Sequence, residues 1–178
     1  MYFSIPEDEK EKITAKLSEV SDWIDEEVTP DTELEPLESR LKELKELTAA
    51  WFARVREHLD RPEILAELDS QLNSSTHFLA KAKNKTGDDG YFTLTEVDVL
   101  EKKLEEINKW REEALEAQEK QPKSEMPKMT KSLIREKSLE VEREVKYLVN
   151  KAKIAIAEQE KEKAKKEAEE KKAKEENL

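Results

Sequence analysis

The stretch that decides the fold is Gln121–Lys153, QPKSEMPKMTKSLIREKSLEVEREVKYLVNKAK. Its first ten residues are punctuated by Pro122 and Pro127, so Gln121–Thr130 reads as a linker or wrap-around loop. From about Ser132 the pattern changes. Ile134, Val141, Val145 and Leu148 recur at steps of three, four and seven, which lines them along one edge of a helix. An edge that narrow is stable only when packed against other helices, so this stretch predicts a helical bundle.

Towards the C-terminus the apolar period stops after Ile156. EQEKEKAKKEAEEKKAKEE is nearly pure Glu, Lys and Ala. Glu–Lys pairs one turn apart can hold it helical, but it has nothing to bury. Residues 157–178 are therefore expected to form an exposed helix or tail, set apart from a bundle over 1–156.

Towards the N-terminus four further helical stretches are predicted. In the fourth, Thr93 and Glu96 have capping-box spacing, and Val97, Leu100, Leu104 and Ile107 form the buried face, extended by Trp110 and Leu115. NKTGDDGYFT before it holds both glycines and reads as a loop. The third stretch runs from Asp60-Arg61-Pro62-Glu63, read as a stop and restart, to about Lys83, burying Leu65, Leu68, Leu72, Phe78 and Leu79. The second starts at a cap on Asp31 or Thr32 and carries Leu34, Leu37, Leu41, Leu44, Trp51 and Val55. The first spans about Pro6 to Glu27, with Ser4 and Glu7 at capping spacing. Ile13, Leu17, Val20, Ile24 and Val28 share its apolar face. The expected fold is all-α: an antiparallel bundle of about five helices with a long charged C-terminal extension.

Composition agrees. Charged residues make up 43% of the 178 and hydrophobic ones 35%, which suits long helices around a narrow core. The net charge of −11 is local: residues 1–70 hold 20 acidic and 9 basic side chains. Glu19–Glu38 alone carries nine acidic side chains and no basic one, which disfavours nucleic acid as a partner. Cysteine is absent, which removes disulfides and thiolate metal sites. No apolar run approaches a membrane span, and no signal peptide is visible.

Candidate chemistry is sparse. His58 and His77 fall on different predicted helices, without a partner at a recognisable catalytic spacing. No nucleophile elbow, phosphate loop or metalloprotease pattern occurs. Asp89 to Glu96 matches the second half of a calcium loop, but its register puts Lys85 and Gly87 at the first and third ligand positions. A turn followed by a helix cap explains the same residues, and no metal is expected. Asn73-Ser74-Ser75 and Asn84-Lys85-Thr86 are N-glycosylation sequons, Asn84 being the better placed acceptor. Trp51 and Trp110 fit the edge of a bundle core. Trp23, with Ile24, Asp25, Glu26 and Glu27, is the candidate partner contact.

Ser21-Asp22-Trp23-Ile24-Asp25-Glu26-Glu27, followed by Leu37-Glu38-Ser39-Arg40-Leu41-Lys42-Glu43-Leu44, resembles the lid region of heat-shock-seventy-related chaperones. Asn108-Lys109-Trp110 through Gln121-Pro122, then Pro127 and Ser132, is similar to the large, nucleotide-exchange branch of that family. Glu142 to Lys153, EREVKYLVNKAK, looks most like its endoplasmic reticulum member. The resemblance covers about residues 10–155. It implies a non-catalytic helical lid that binds unfolded or nascent polypeptides and supports contact with a partner heat-shock-70-type chaperone, in the endoplasmic reticulum lumen or else the cytoplasm. Neither the nucleotide-binding nor the β-sandwich domain of the family is present, so no cofactor is expected here and ATP belongs to the parent protein. The final Glu-Asn-Leu is not a retention signal of the Lys-Asp-Glu-Leu type. A self-associating coiled-coil scaffold is the alternative suggested by the heptad-like second stretch, against which the Pro and Gly breaks argue.

Overall fold

A computed structural model of the chain describes residues 5–87 and 90–176, with side chains through residue 169. Among the described residues there are four helices: α1 (Glu7–Glu27), α2 (Leu34–Lys83), α3 (Leu94–Glu119) and α4 (Lys131–Glu176). None is long and apolar enough to cross a membrane. Ser4 of the expected first cap and Asp89 of the half calcium motif lie outside the described residues.

The all-α expectation holds, with one helix fewer. The second and third predicted stretches are a single helix, because Pro62 sits inside α2 without ending it. A proline there has no N–H to offer the His58 carbonyl and crowds it, at a cost of about 3 kcal/mol in a free helix. Tertiary contacts on both sides offset that cost. Glu57 accepts the Lys131 backbone N–H at 2.8 Å and Asp60 pairs with Lys131 Nζ at 2.6 Å. Just beyond the proline, Ile64 and Leu68 are buried. Asp60 thus holds the linker instead of capping a new helix.

The chain folds as two compact units, one of residues 5–63 with 114–131, the other of 64–113 with 132–176. The second is a three-helix bundle. Asp69 pairs with Arg111 at 2.7 Å and Lys83 with Glu101 at 2.6 Å, so α2 and α3 run antiparallel. Lys103–Glu140 at 3.0 Å and Lys151–Glu96 at 2.6 Å make α3 and α4 antiparallel as well. Gln71 Nε2 donates to the Ser138 carbonyl at 3.0 Å, and Phe78 shares a groove with Val145 and Val149, so α2 and α4 are parallel. Between them lies a dry core of Leu68, Leu72, Leu79, Val97, Leu100, Leu104, Ile107, Ile134, Val141 and Leu148. Each such side chain contributes about 1.5–3 kcal/mol by leaving water. Leu65 and Phe78 are only half-buried, and Ser75 takes a buried position instead.

The loop joining α2 to α3 is built on one carbonyl. Lys85 O accepts from both Tyr91 N at 2.8 Å and Phe92 N at 3.2 Å. A side chain on Gly90 would meet that oxygen at 2.3 Å, so only glycine fits. Phe92, turned inward by the loop, is buried and stacks edge-on against Phe78.

The first unit is an α1–α2 hairpin with a strap. Glu9 pairs with Arg54, Lys16 with Glu43 at 2.7 Å, and Arg40 lies 4.0 Å over the Trp23 ring, which fixes an antiparallel register. At the turn, the Thr29 N–H donates to Thr32 Oγ1 at 2.7 Å, so Thr32 closes the connection and does not cap α2. The seam of α1 is Glu9, Ile13, Lys16, Val20 and Trp23. The expected apolar face is therefore rotated, and Leu17 and Ile24 are left exposed. Leu34 and Leu41 of α2 are exposed for the same reason: a two-helix contact covers a seam narrower than the apolar stripe of either helix.

The linker forms the strap. Gln118 Oε1 accepts the Met129 N–H at 3.2 Å, and Gln121 Oε1 accepts that of Lys128 at 2.9 Å. Pro127 and Met129 of the strap are buried.

Candidate protein-interaction surface

Seven-residue steps separate Leu17 from Ile24, Leu34 from Leu41, and Phe52 from Leu59, so each pair lies along one helix face. All are exposed, from 48% for Phe52 to 65% for Leu34. The antiparallel register brings these faces to one flank of the hairpin. Lys12, Ala15, Glu19, Glu43 and Leu47 occupy the other flank, around a shallow depression. The result is one apolar band along the hairpin. The acidic run Glu19–Glu38 surrounds its turn end, with Asp25, Glu26 and Glu27 exposed on the last turn of α1. Exposed apolar surface rimmed by charge is the usual physical signature of protein recognition.

The five residues singled out near Trp23 are thereby divided. Trp23 is half-buried in the seam beneath Arg40, whereas Ile24 projects onto the apolar flank. Trp51 is half-buried beside Phe52, their ring centroids 4.7 Å apart, and Trp110 is half-buried on α3. Both sequon asparagines are exposed. Ser75 of the first sequon is buried, and Thr86 of the second donates its hydroxyl to the Lys83 carbonyl at 3.0 Å.

His77 is exposed on α2. His58 is half-buried with its Nδ1 2.7 Å from Arg61 Nη2, a cation where acid–base chemistry would place a carboxylate. Burial first, then the Arg61 charge, holds its pKa below the ordinary histidine value.

Glu96 has a structural role. It accepts from Thr93 N at 2.8 Å, completing the capping box as Thr93 Oγ1 accepts Glu96 N at 3.3 Å. It also binds Lys151 Nζ at 2.6 Å and Tyr147 Oη at 2.7 Å. The Lys151 bond, followed by the Thr93 N–H, pulls its pKa down to about 2. Sequence reasoning found the cap but missed this clamp onto α4. The available signal was the four-residue step from Tyr147 to Lys151, which puts both on one face. Among the described residues no group of three or more His, Cys, Asp or Glu is arranged to hold a metal ion.

Comparison with known proteins places these helices. The family described as HYOU1-like, C-terminal domain, matches residues 79–152, from the end of α2 through α3 and the strap into α4. Hypoxia up-regulated protein 1 of Gallus gallus is 40% identical over 161 residues, covering 90% of this chain and 16% of that protein. The Danio rerio protein of the same name is 41% identical over 152 residues, covering 85% of this chain and 15% of its own length. Heat shock 70 kDa protein 4 of Homo sapiens is 27% identical over 149 residues, 82% of this chain and 16% of that protein. The chain thus spans about a sixth of the length of these relatives. No solved structure matches. The resemblance read from the sequence holds: at residues 79–152 the chain carries the C-terminal domain of HYOU1-like proteins, and along most of its length it is homologous to the hypoxia up-regulated relatives of heat shock 70 kDa proteins.

Proposed function

We propose that this helical domain serves its chaperone by binding unfolded or nascent polypeptide and by supporting contact with a partner heat-shock-70-type chaperone. The observation that carries the reading is the exposed band of Leu17, Ile24, Leu34, Leu41, Phe52 and Leu59 beside an acidic turn. Apolar side chains at that density hold greasy segments, while the surrounding charge keeps the complex in solution. By its relatives' names the domain acts in a hypoxia-linked stress response. The lumen of the endoplasmic reticulum is its proposed compartment, with Asn84 glycosylated ahead of Asn73, and ATP handled by the parent protein.

The test is an aggregation assay with a chemically denatured client. The chain should suppress light scattering at several-fold excess, and Leu41→Glu with Phe52→Glu should abolish the effect without unfolding the protein. Equal suppression by the double variant would remove the apolar band from the mechanism. An inert wild-type chain would remove autonomous holding.

A further inference from the structure

The first unit also contains a cavity of about 330 Å³, walled by His58 and Arg61 of α2, Leu115 and Glu119 near the end of α3, and Gln121 and Lys123 of the strap. Its charge is not balanced. The neighbouring partly buried cations each have a carboxylate: Arg54 has Glu9, Lys16 has Glu43, and Lys131 has Asp60. Arg61 has none. Its Nη2 is spent on His58, and its Nη1 is buried with no hydrogen-bond partner. Glu57, the nearest acidic influence on it, already accepts the Lys131 N–H. A guanidinium stays charged under all ordinary conditions, and withdrawing it from water without an anion is costly. The cavity walls are fixed before any ligand arrives, because the amides of Gln118 and Gln121 are committed to the strap. A second cation, Lys123, stands on the same wall, and Leu115 provides an apolar side.

We propose that this cavity is a carboxylate-binding site, in which the Arg61 guanidinium, supported by Lys123, takes a terminal or side-chain carboxylate of a bound polypeptide. The site rests on the geometry above; only the source of the carboxylate rests on the proposed polypeptide binding. The volume admits a carboxylate together with one small side chain. Glu119 also borders the cavity and is exposed, so it competes with the ligand and weakens binding.

The experiment is a titration of the full chain followed by nitrogen-15 shifts of residues 57–61 and 115–123. The probes are acetyl-Ala-Leu with a free carboxylate, its C-terminal amide, acetate and inorganic phosphate. The free acid should bind at least about tenfold tighter than the amide, the scale expected of one charge-assisted hydrogen bond. Arg61→Gln should abolish the difference, Lys123→Gln should reduce it about threefold, and Glu119→Gln should tighten binding. Lys123 and Glu119 are exposed, so these two variants keep the test decisive if Arg61→Gln fails to fold. Equal binding of acid and amide, or a response to phosphate alone, overturns the site. Acetate binding as tightly as the peptide would keep the carboxylate site and overturn the polypeptide source. Client suppression surviving loss of acid–amide discrimination would refute this site alone. Discrimination persisting in a chain that suppresses no aggregation would refute the holding function alone.

Discussion

The two units of this chain are built from the same kind of helix and stabilised in different ways. In the bundle of residues 64–113 and 132–176, Leu100, Ile107, Ile134 and Val141 are fully buried. Among the described residues of the hairpin unit the buried set is Val20, Arg54, Glu57, Pro127 and Met129, and the seam is closed largely by ion pairs. Apolar burial gives the first a cooperative core, whereas exposed or half-exposed ion pairs contribute about 0–1 kcal/mol each. The comparison teaches that one composition can provide both a packed core and an exposed apolar surface. Apolar residues go inward where three helices meet and stay available where only two do.

The sharpest way to break this contrast is truncation in each core. Ile107→Ala should cost about 2–5 kcal/mol by denaturant unfolding, because the site is closed on every side. Val20→Ala should cost about 1 kcal/mol or less. Equal losses would show that the hairpin is as well packed as the bundle.

Next in size is the Glu96 clamp. Its carboxyl is pulled from the usual range to about 2 in the folded chain. A depressed acid stabilises the fold above its unfolded pKa, and that contribution fades as pH falls from about 4.5 towards 2. Glu96→Gln should therefore lower stability at pH 7 by roughly 1–3 kcal/mol and flatten the acid limb of the stability profile over that interval. A parallel shift of the whole profile would assign the loss to the cap alone.

Smaller again is Pro62→Ala, which restores a backbone donor in the middle of α2. A gain of about 1 kcal/mol is expected by thermal unfolding, since α2 already continues through that point. A loss would mean that the proline ring packs usefully against the strap. The smallest effect belongs to the apolar band. Leu34→Ser should leave stability within about 0.5 kcal/mol, because the side chain is mostly solvent-exposed.

Much of the bundle was legible in the sequence. Val97, Leu100, Leu104 and Ile107 fall at regular helical steps and all are buried, and Thr93-x-x-Glu96 marked the start of α3. The two prolines of the strap announced a non-helical link. What stayed hidden was set by partners distant in sequence. Pro62 looked like a break because local rules cannot see Lys131 gripping Glu57 and Asp60 from more than seventy residues away. The rotation of α1 followed from Lys16 and Arg54 taking seam positions, which a hydrophobic count assigns to the surface. The band of Leu17, Ile24, Leu34 and Leu41 was visible as a stripe, but its exposure was not, since periodicity reports a face and not what covers it. The cavity around Arg61 needs the fold of the strap to exist at all.

A hairpin zipped by Lys16–Glu43 and Glu9–Arg54 also answers to ionic strength. Dissolved ions at physiological concentration already screen charge over about 8 Å, and further salt loosens such a zipper while tightening a greasy one. The grip of α1 on α2 can therefore be relaxed by the medium while the three-helix bundle stays locked.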